Sequence, residues 1–122
     1  MTKDTINSWK NKIIYQIFPR SFYDANNDGD GDLKGIVEKI DYLSWLGIDA
    51  IWLCPIYDTD FIDAGYDVND YYKIWPKFGT LEDFKLLVKK CKEKNIEIIM
   101  DLVLNHTSDK HFWFKKALEN PN

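Results

Sequence analysis

Oxygen-bearing side chains recur at every second position in the run Asp24-Ala-Asn-Asn-Asp28-Gly-Asp-Gly-Asp32. Hard cations favour such a run. Calcium accepts about six to eight oxygen ligands, and Asp24, Asn26, Asp28 and Asp32 with the carbonyl of Asp30 could supply most of them, Mg2+ being the second choice of ion. Carboxylates packed this closely repel one another, so the loop is costly to order without a cation. The alternative is an Asx-rich turn that caps a helix starting near Leu33 and binds nothing; alternation sustained over the whole loop favours the cation. The run is not a full EF-hand, because Gly35 stands where a bidentate Glu is required and no helix precedes the loop.

Other side chains invite chemistry less strongly. Asp58, Asp67 and Asp70 can be read as paired carboxylates for acid-base work, but acids in loops are usually solvated or cap helices. Cys54 and Cys91 lack CxxC or zinc-ligand spacing and read as buried free thiols. His106 follows an apolar segment directly, whereas His111 reads as solvent-exposed. Phe112-Trp113-Phe114 is either a sugar platform or ordinary packing.

These residues hang on a regular framework. Ile13 to Ile17 is a short apolar strand stopped by Pro19, and Ala50 to Leu53 is a second. Between them Leu33, Ile36, Val37, Ile40, Leu43 and Leu46 recur at helical spacing, with Gly47 as the C-cap. A long aromatic and acidic loop runs from Pro55 to about Gly79, a candidate binding loop by its length. Thr80 can cap a helix that carries Glu82 and Asp83 in its first turn and exits near Asn95. The apolar segment Ile96 to Leu104 then leads into Asn105-His106. Strand, helix, strand, helix, strand predicts an α/β fold with a parallel sheet, either doubly wound or part of a closed barrel.

Composition narrows the function. Sixteen Lys+Arg against twenty Asp+Glu give a net charge of −4, which argues against nucleic-acid or membrane-surface binding through a basic face. The terminus Met1-Thr-Lys-Asp-Thr-Ile-Asn7 has no apolar signal-like stretch, so a cytoplasmic location is expected.

Taken in order, Ile14-Tyr-Gln-Ile-Phe-Pro-Arg-Ser-Phe22, Gly47-Ile-Asp-Ala-Ile-Trp-Leu53, Gly65-Tyr-Asp67, Phe78-Gly-Thr80 and Asp101-Leu-Val-Leu-Asn-His106 resemble the opening third of the α-amylase family of glycoside hydrolases. The closest likeness is to its oligo-1,6-glucosidase and α-glucosidase branch. The resemblance implies the first three βα units of a truncated (β/α)8 TIM barrel, with residues 1–104 in the barrel and 105–122 starting the segment that leads into an inserted domain. It implies that Asp63 accepts hydroxyls of a terminal glucosyl unit, that Tyr66 stacks on it, and that His106 donates to it, while the loop from Asp24 to Asp32 holds a structural Ca2+. Ala64 departs from the Asn that relatives often carry. Placement of His106 also has a physical basis, since strand C-termini face the pocket of such a barrel and a desolvated hydroxyl needs a partner.

The family's catalytic carboxylates follow later strands. The parent is therefore expected to be a retaining hydrolase of terminal α-glucosidic bonds in short oligosaccharides, and this chain alone to be inactive. Its partners are then an oligosaccharide and the remainder of the barrel. Three strands without the rest leave unpaired edges, so the isolated chain is expected to fold poorly or associate. Two other readings compete: a non-catalytic barrel relative that serves as a binding subunit, and a small calcium-binding α/β module.

Overall fold

A computed structural model describes residues 8–120. The polar start, 1–7, and the last two residues of the 105–122 segment lie outside the described residues. After a short 3-10 turn at Ser8–Asn11, the main sheet contains β1 (Ile14–Ile17), β2 (Ala50–Leu53) and the strand Glu97–Met100. All three are parallel, with the Ala50–Leu53 strand in the centre. Helices α1 (Leu33–Glu38) and α2 (Ile40–Leu46) join the first two strands.

The segment expected to be a long loop instead contains an antiparallel ribbon, β3 (Tyr57–Thr59) paired with β4 (Val68–Ile74). Its aromatic and β-branched residues suit a pleated, half-buried surface, which length alone did not reveal. Helix α3 (Leu81–Glu93) follows, then the third main strand, here β5, and finally α4 (Phe112–Glu119).

Strand periodicity sorts the side chains onto two faces. Tyr15, Ile51 and Ile98 form one row, and Ile17, Leu53 and Met100 another, both turned toward a core that includes Ile36, Ile40, Leu43, Phe78, Leu87 and Cys91. Each such Leu or Ile, fully buried, contributes about 1.5–3 kcal/mol relative to exposure. The intervening row, Gln16, Trp52 and Ile99, lies on the opposite face and is exposed. The two outer strands, β1 and β5, each have one side unpaired among the described residues.

Local signals account for the helix ends. The Thr80 and Asp83 side chains form a reciprocal capping box at the start of α3, and Gly47 takes a left-handed conformation (φ 83°) after α2. The single helix expected from Leu33 to Leu46 is interrupted at Lys39, whose N–H bonds to Ile36 three residues back and tightens that turn. The apolar segment Ile96 to Leu104 is strand only through Met100.

His111 corrects an expectation of exposure. It is only 2% exposed, and its Nδ1 accepts the Trp113 N–H at 3.1 Å to cap α4. Its ring packs against Trp113, Phe112 and Tyr71. A polar flank concealed the helix start that gives this imidazole a buried task. Both cysteines are buried and free, and burial pushes the Cys91 thiol up to about 11. Among the described residues no helix is long and apolar enough to cross a membrane.

Candidate functional site

The chain between β3 and β4 is a tight turn with three positive backbone angles: Phe61 (φ 61°), Ala64 (φ 53°) and Gly65 (φ 95°). Asp67 organises it. Its carboxylate accepts the N–H groups of Asp63 at 2.9 Å and Ile62 at 3.1 Å, and the Tyr66 N–H donates to the Asp63 carbonyl at 2.8 Å. Burial opposes ionisation of Asp67, yet these donors and the Thr59 hydroxyl hold its carboxyl below the ordinary range. Asp63 is exposed at the tip of the turn, while the Tyr66 ring is half-buried.

Residues 101–106 leave the C-terminal end of β5 and run past this turn. The Asp101 N–H continues the sheet by bonding the Leu53 carbonyl at 3.1 Å. Tyrosine hydroxyls from the ribbon hold the segment: Tyr57 donates to the Asp101 carbonyl at 2.7 Å, and Tyr71 to the carbonyls of Val103 at 2.5 Å and His106 at 3.0 Å. Tyr66 donates its hydroxyl to Asp101 Oδ2 at 2.7 Å, and that bond, with burial second, raises its phenol far above the ordinary value and keeps it neutral.

His106 Nε2 lies 3.1 Å from the Tyr66 carbonyl. A carbonyl only accepts, so this nitrogen carries the proton. The exposed imidazole lines a cavity of about 510 Å³ with Tyr71, Tyr72, Leu104, Asn105 and Trp113. An aromatic and apolar lining with amide and imidazole groups suits a ligand with both apolar faces and hydroxyls.

Tyr66 and His106 are thus in direct contact, and Asp63 lies in the same turn as Tyr66. Asp101 joins them as a carboxylate engaged with a phenol rather than an isolated acid. Tyr57 and Tyr71 are also part of the assembly and escaped sequence reasoning; the aromatic and β-branched content of Val68 to Ile74 is compatible with a strand but names no partner for either hydroxyl. Asp58 and Asp70 stand opposite each other across the ribbon, and Asp70 accepts the Tyr72 N–H and pairs with Lys73.

The acidic loop has a different organisation. Asp24 accepts three backbone N–H groups, from Asn27, Asp28 and Gly29; Asn26 accepts from Asp28 and Asp28 from Asp30. Asp32 is buried and caps α1 through the Gly35 N–H at 2.6 Å, its second oxygen taking the Ala25 N–H. The Asp30 carboxylate is held by Arg20 at 2.7 Å and Lys77 at 3.0 Å, which lower its pKa in that order. All these donors are oxygens, the right chemistry for a hard cation, and Asp30 still has its carbonyl to offer. Their arrangement is less suitable: among the described residues no three acidic, His or Cys side chains converge as a metal-holding group. Gly35 sits where it does because a Cβ there would lie 1.9 Å from the Tyr23 carbonyl oxygen.

Residues 16–122 match the model of the alpha amylase catalytic domain. The chain belongs to that family. It is 56% identical over 115 residues to an oligo-1,6-glucosidase of Bacillus cereus, covering 92% of this chain and 21% of that protein. It is 48% identical over 122 residues to a trehalose synthase/amylase of Mycolicibacterium smegmatis, covering 99% of this chain and 21% of that protein. Among solved structures, a mutant isomaltulose synthase of Erwinia rhapontici NX5 in complex with D-glucose superposes with a TM-score of 0.89 at 51% identity, over 91% of this chain and 20% of that one. The chain therefore spans about a fifth of the length of these relatives. Its three parallel strands and their helices are α/β units of a (β/α)8 barrel, and the turn and segment just described sit at the strand ends where such barrels place their active sites.

Proposed function

We propose that these residues are the glucosyl-binding part of a retaining α-glucosidase of oligo-1,6-glucosidase type, which hydrolyses terminal α-glucosidic bonds of short oligosaccharides. The observation that carries this reading is the junction of Tyr66, Asp101 and His106 at the C-terminal ends of parallel strands, in a chain of this family. In it, Asp63 accepts sugar hydroxyls, the Tyr66 ring stacks on the apolar face of the glucose, and a sugar hydroxyl competes for the His106 N–H now given to the Tyr66 carbonyl. The two carboxyl groups of the double displacement belong to later strands of the longer protein.

The loop from Asp24 to Asp32 is proposed to hold a structural Ca2+, with Mg2+ as the second choice. Asp24, Asn26 and Asp28 would turn from backbone N–H groups onto the ion, with Asp32 beside them and Asp30 giving its carbonyl. The ion would neutralise clustered carboxylates and stiffen the loop. Residues 105–122 are proposed to lead into an inserted domain, and the protein to act in the cytoplasm.

Kinetics with isomaltose test the assignment in the full-length protein. Asp63→Ala and His106→Ala should each lower kcat/KM about tenfold or more, since each leaves a desolvated hydroxyl unpaired. Unchanged kcat/KM in both variants, or hydrolysis of an aryl α-glucoside by the 122-residue chain alone, would overturn it.

A further inference from the structure

The Asp30 carboxylate holds two cations, and each lies over one member of a stacked aromatic pair. Arg20 Nε donates to Asp30 Oδ1 at 2.7 Å while its guanidinium carbon lies 5.1 Å from the Phe61 ring centre. Lys77 Nζ donates to Asp30 Oδ2 at 3.0 Å and lies 5.8 Å from the Trp75 ring centre. Phe61 and Trp75 stack at 4.5 Å with an interplanar angle of 7°. Phe78, fully buried, meets both rings edge-on, and its carbonyl accepts the N–H of Leu33.

Phe61 has φ 61°, a left-handed conformation that is a genuine outlier for a bulky side chain. Such a conformation is strained and persists only where surrounding contacts over-determine it. The contacts that do so here are the Trp75 stack, the Phe78 edge, the Arg20 guanidinium, and the Thr59 hydroxyl that accepts the Phe61 N–H at 2.9 Å. Phe61 opens the turn whose next residues include Asp63 and Tyr66. A ring released from this clamp would let the backbone relax and carry both side chains with it.

We infer that Arg20 is a positioning residue: anchored by Asp30, it and Lys77 clamp the Phe61–Trp75 stack and so fix the sugar-binding turn of residues 61–67. Arg suits the task better than Lys, because a planar guanidinium can face a ring and donate to a carboxylate together. The clamp also ties the acidic loop to the sugar site through side chains alone. The inference rests on the reading of Asp63 and Tyr66 as sugar-binding residues.

Hydrogen–deuterium exchange of the amides of 61–67, combined with calorimetric titration with D-glucose, tests it in the full-length protein. Arg20→Met should speed exchange in that turn and weaken glucose binding about tenfold, with Arg20→Lys in between. Should Arg20→Met fail to fold, Asp30→Asn, which keeps side-chain shape and the backbone carbonyl, is expected to act in the same direction. Lys94→Met removes an exposed ion pair with Asp41 on the helical side and should change neither quantity. Exchange and affinity in the clamp variants equal to those of Lys94→Met would overturn the inference, as would faster exchange with unaltered affinity. A wild-type protein that does not bind glucose would refute the sugar reading, while the exchange comparison would still decide whether the clamp exists.

Discussion

The Tyr66 hydroxyl reaches Asp101 Oδ2 at 2.7 Å across 35 positions of sequence, joining the ribbon turn to the segment that leaves the third main strand. A phenol donating to a carboxylate resists ionisation, so its folded pKa stands above the unfolded value of 10.0. The stability it adds is complete below that pH and is lost as pH rises through the folded pKa. Ultraviolet titration should show Tyr66 among the last of the seven tyrosines to ionise. In Asp101→Asn it should ionise nearer the ordinary value; coincident titration curves for the two proteins would contradict the bond.

Asp67 behaves in the opposite sense. Its folded pKa is lowered from 3.8, so its contribution is present above that value and fades as pH falls through the folded pKa. Acidification below about pH 4 should therefore loosen residues 61–67 through loss of this group. Asp67→Asn should flatten that part of the acid stability curve and cost about 1 kcal/mol at neutral pH, read by urea unfolding.

Gly35 allows the helix start to pass the Tyr23 backbone, and a methyl group there would meet the carbonyl oxygen at 1.9 Å. Because backbone must yield, Gly35→Ala should destabilise by about 1–3 kcal/mol despite alanine's better helix propensity. A stabilised variant in thermal unfolding would show that the close approach is not maintained.

Calcium offers a test of the acidic loop. If Asp24, Asn26 and Asp28 turn onto an ion, saturating Ca2+ should raise Tm, by free energy of about 2.7 kcal/mol at a hundredfold excess over Kd, and a chelator should reverse it. Asp28→Ala should abolish the rise. Equal Tm values with calcium and with chelator would leave the loop as a set of Asx turns and helix caps.

Residue patterns carried the framework further than the contacts. Thr80, Gly47 and the helical spacing from Leu33 onward announce structure that depends on neighbours a few residues away, and these were legible. The break at Lys39 was not, because one tightened turn leaves apolar spacing intact. Nor was the ribbon, whose strands pair across a turn that departs from common hairpin signals. At the candidate site, the position of His106 could be read from the apolar segment before it, while Asp63 and Tyr66 were expected to bind sugar only through likeness to a family. Their physical connections could not: Tyr57, Tyr71 and Arg20 act through partners tens of residues away, and sequence spacing does not encode such distances. His111 shows the converse error, in which a polar side chain in a polar stretch serves an interior helix cap.

Trp52 stands mid-row on the sheet face left exposed among the described residues, between Gln16 and Ile99. An indole in that position is a label that requires no chemistry to install. When further chain or another molecule settles over the sheet, its emission should shift toward the blue and a small neutral quencher should lose access to it. Assembly of the barrel can then be followed in real time by the colour of one side chain, once the other four tryptophans are replaced by phenylalanine.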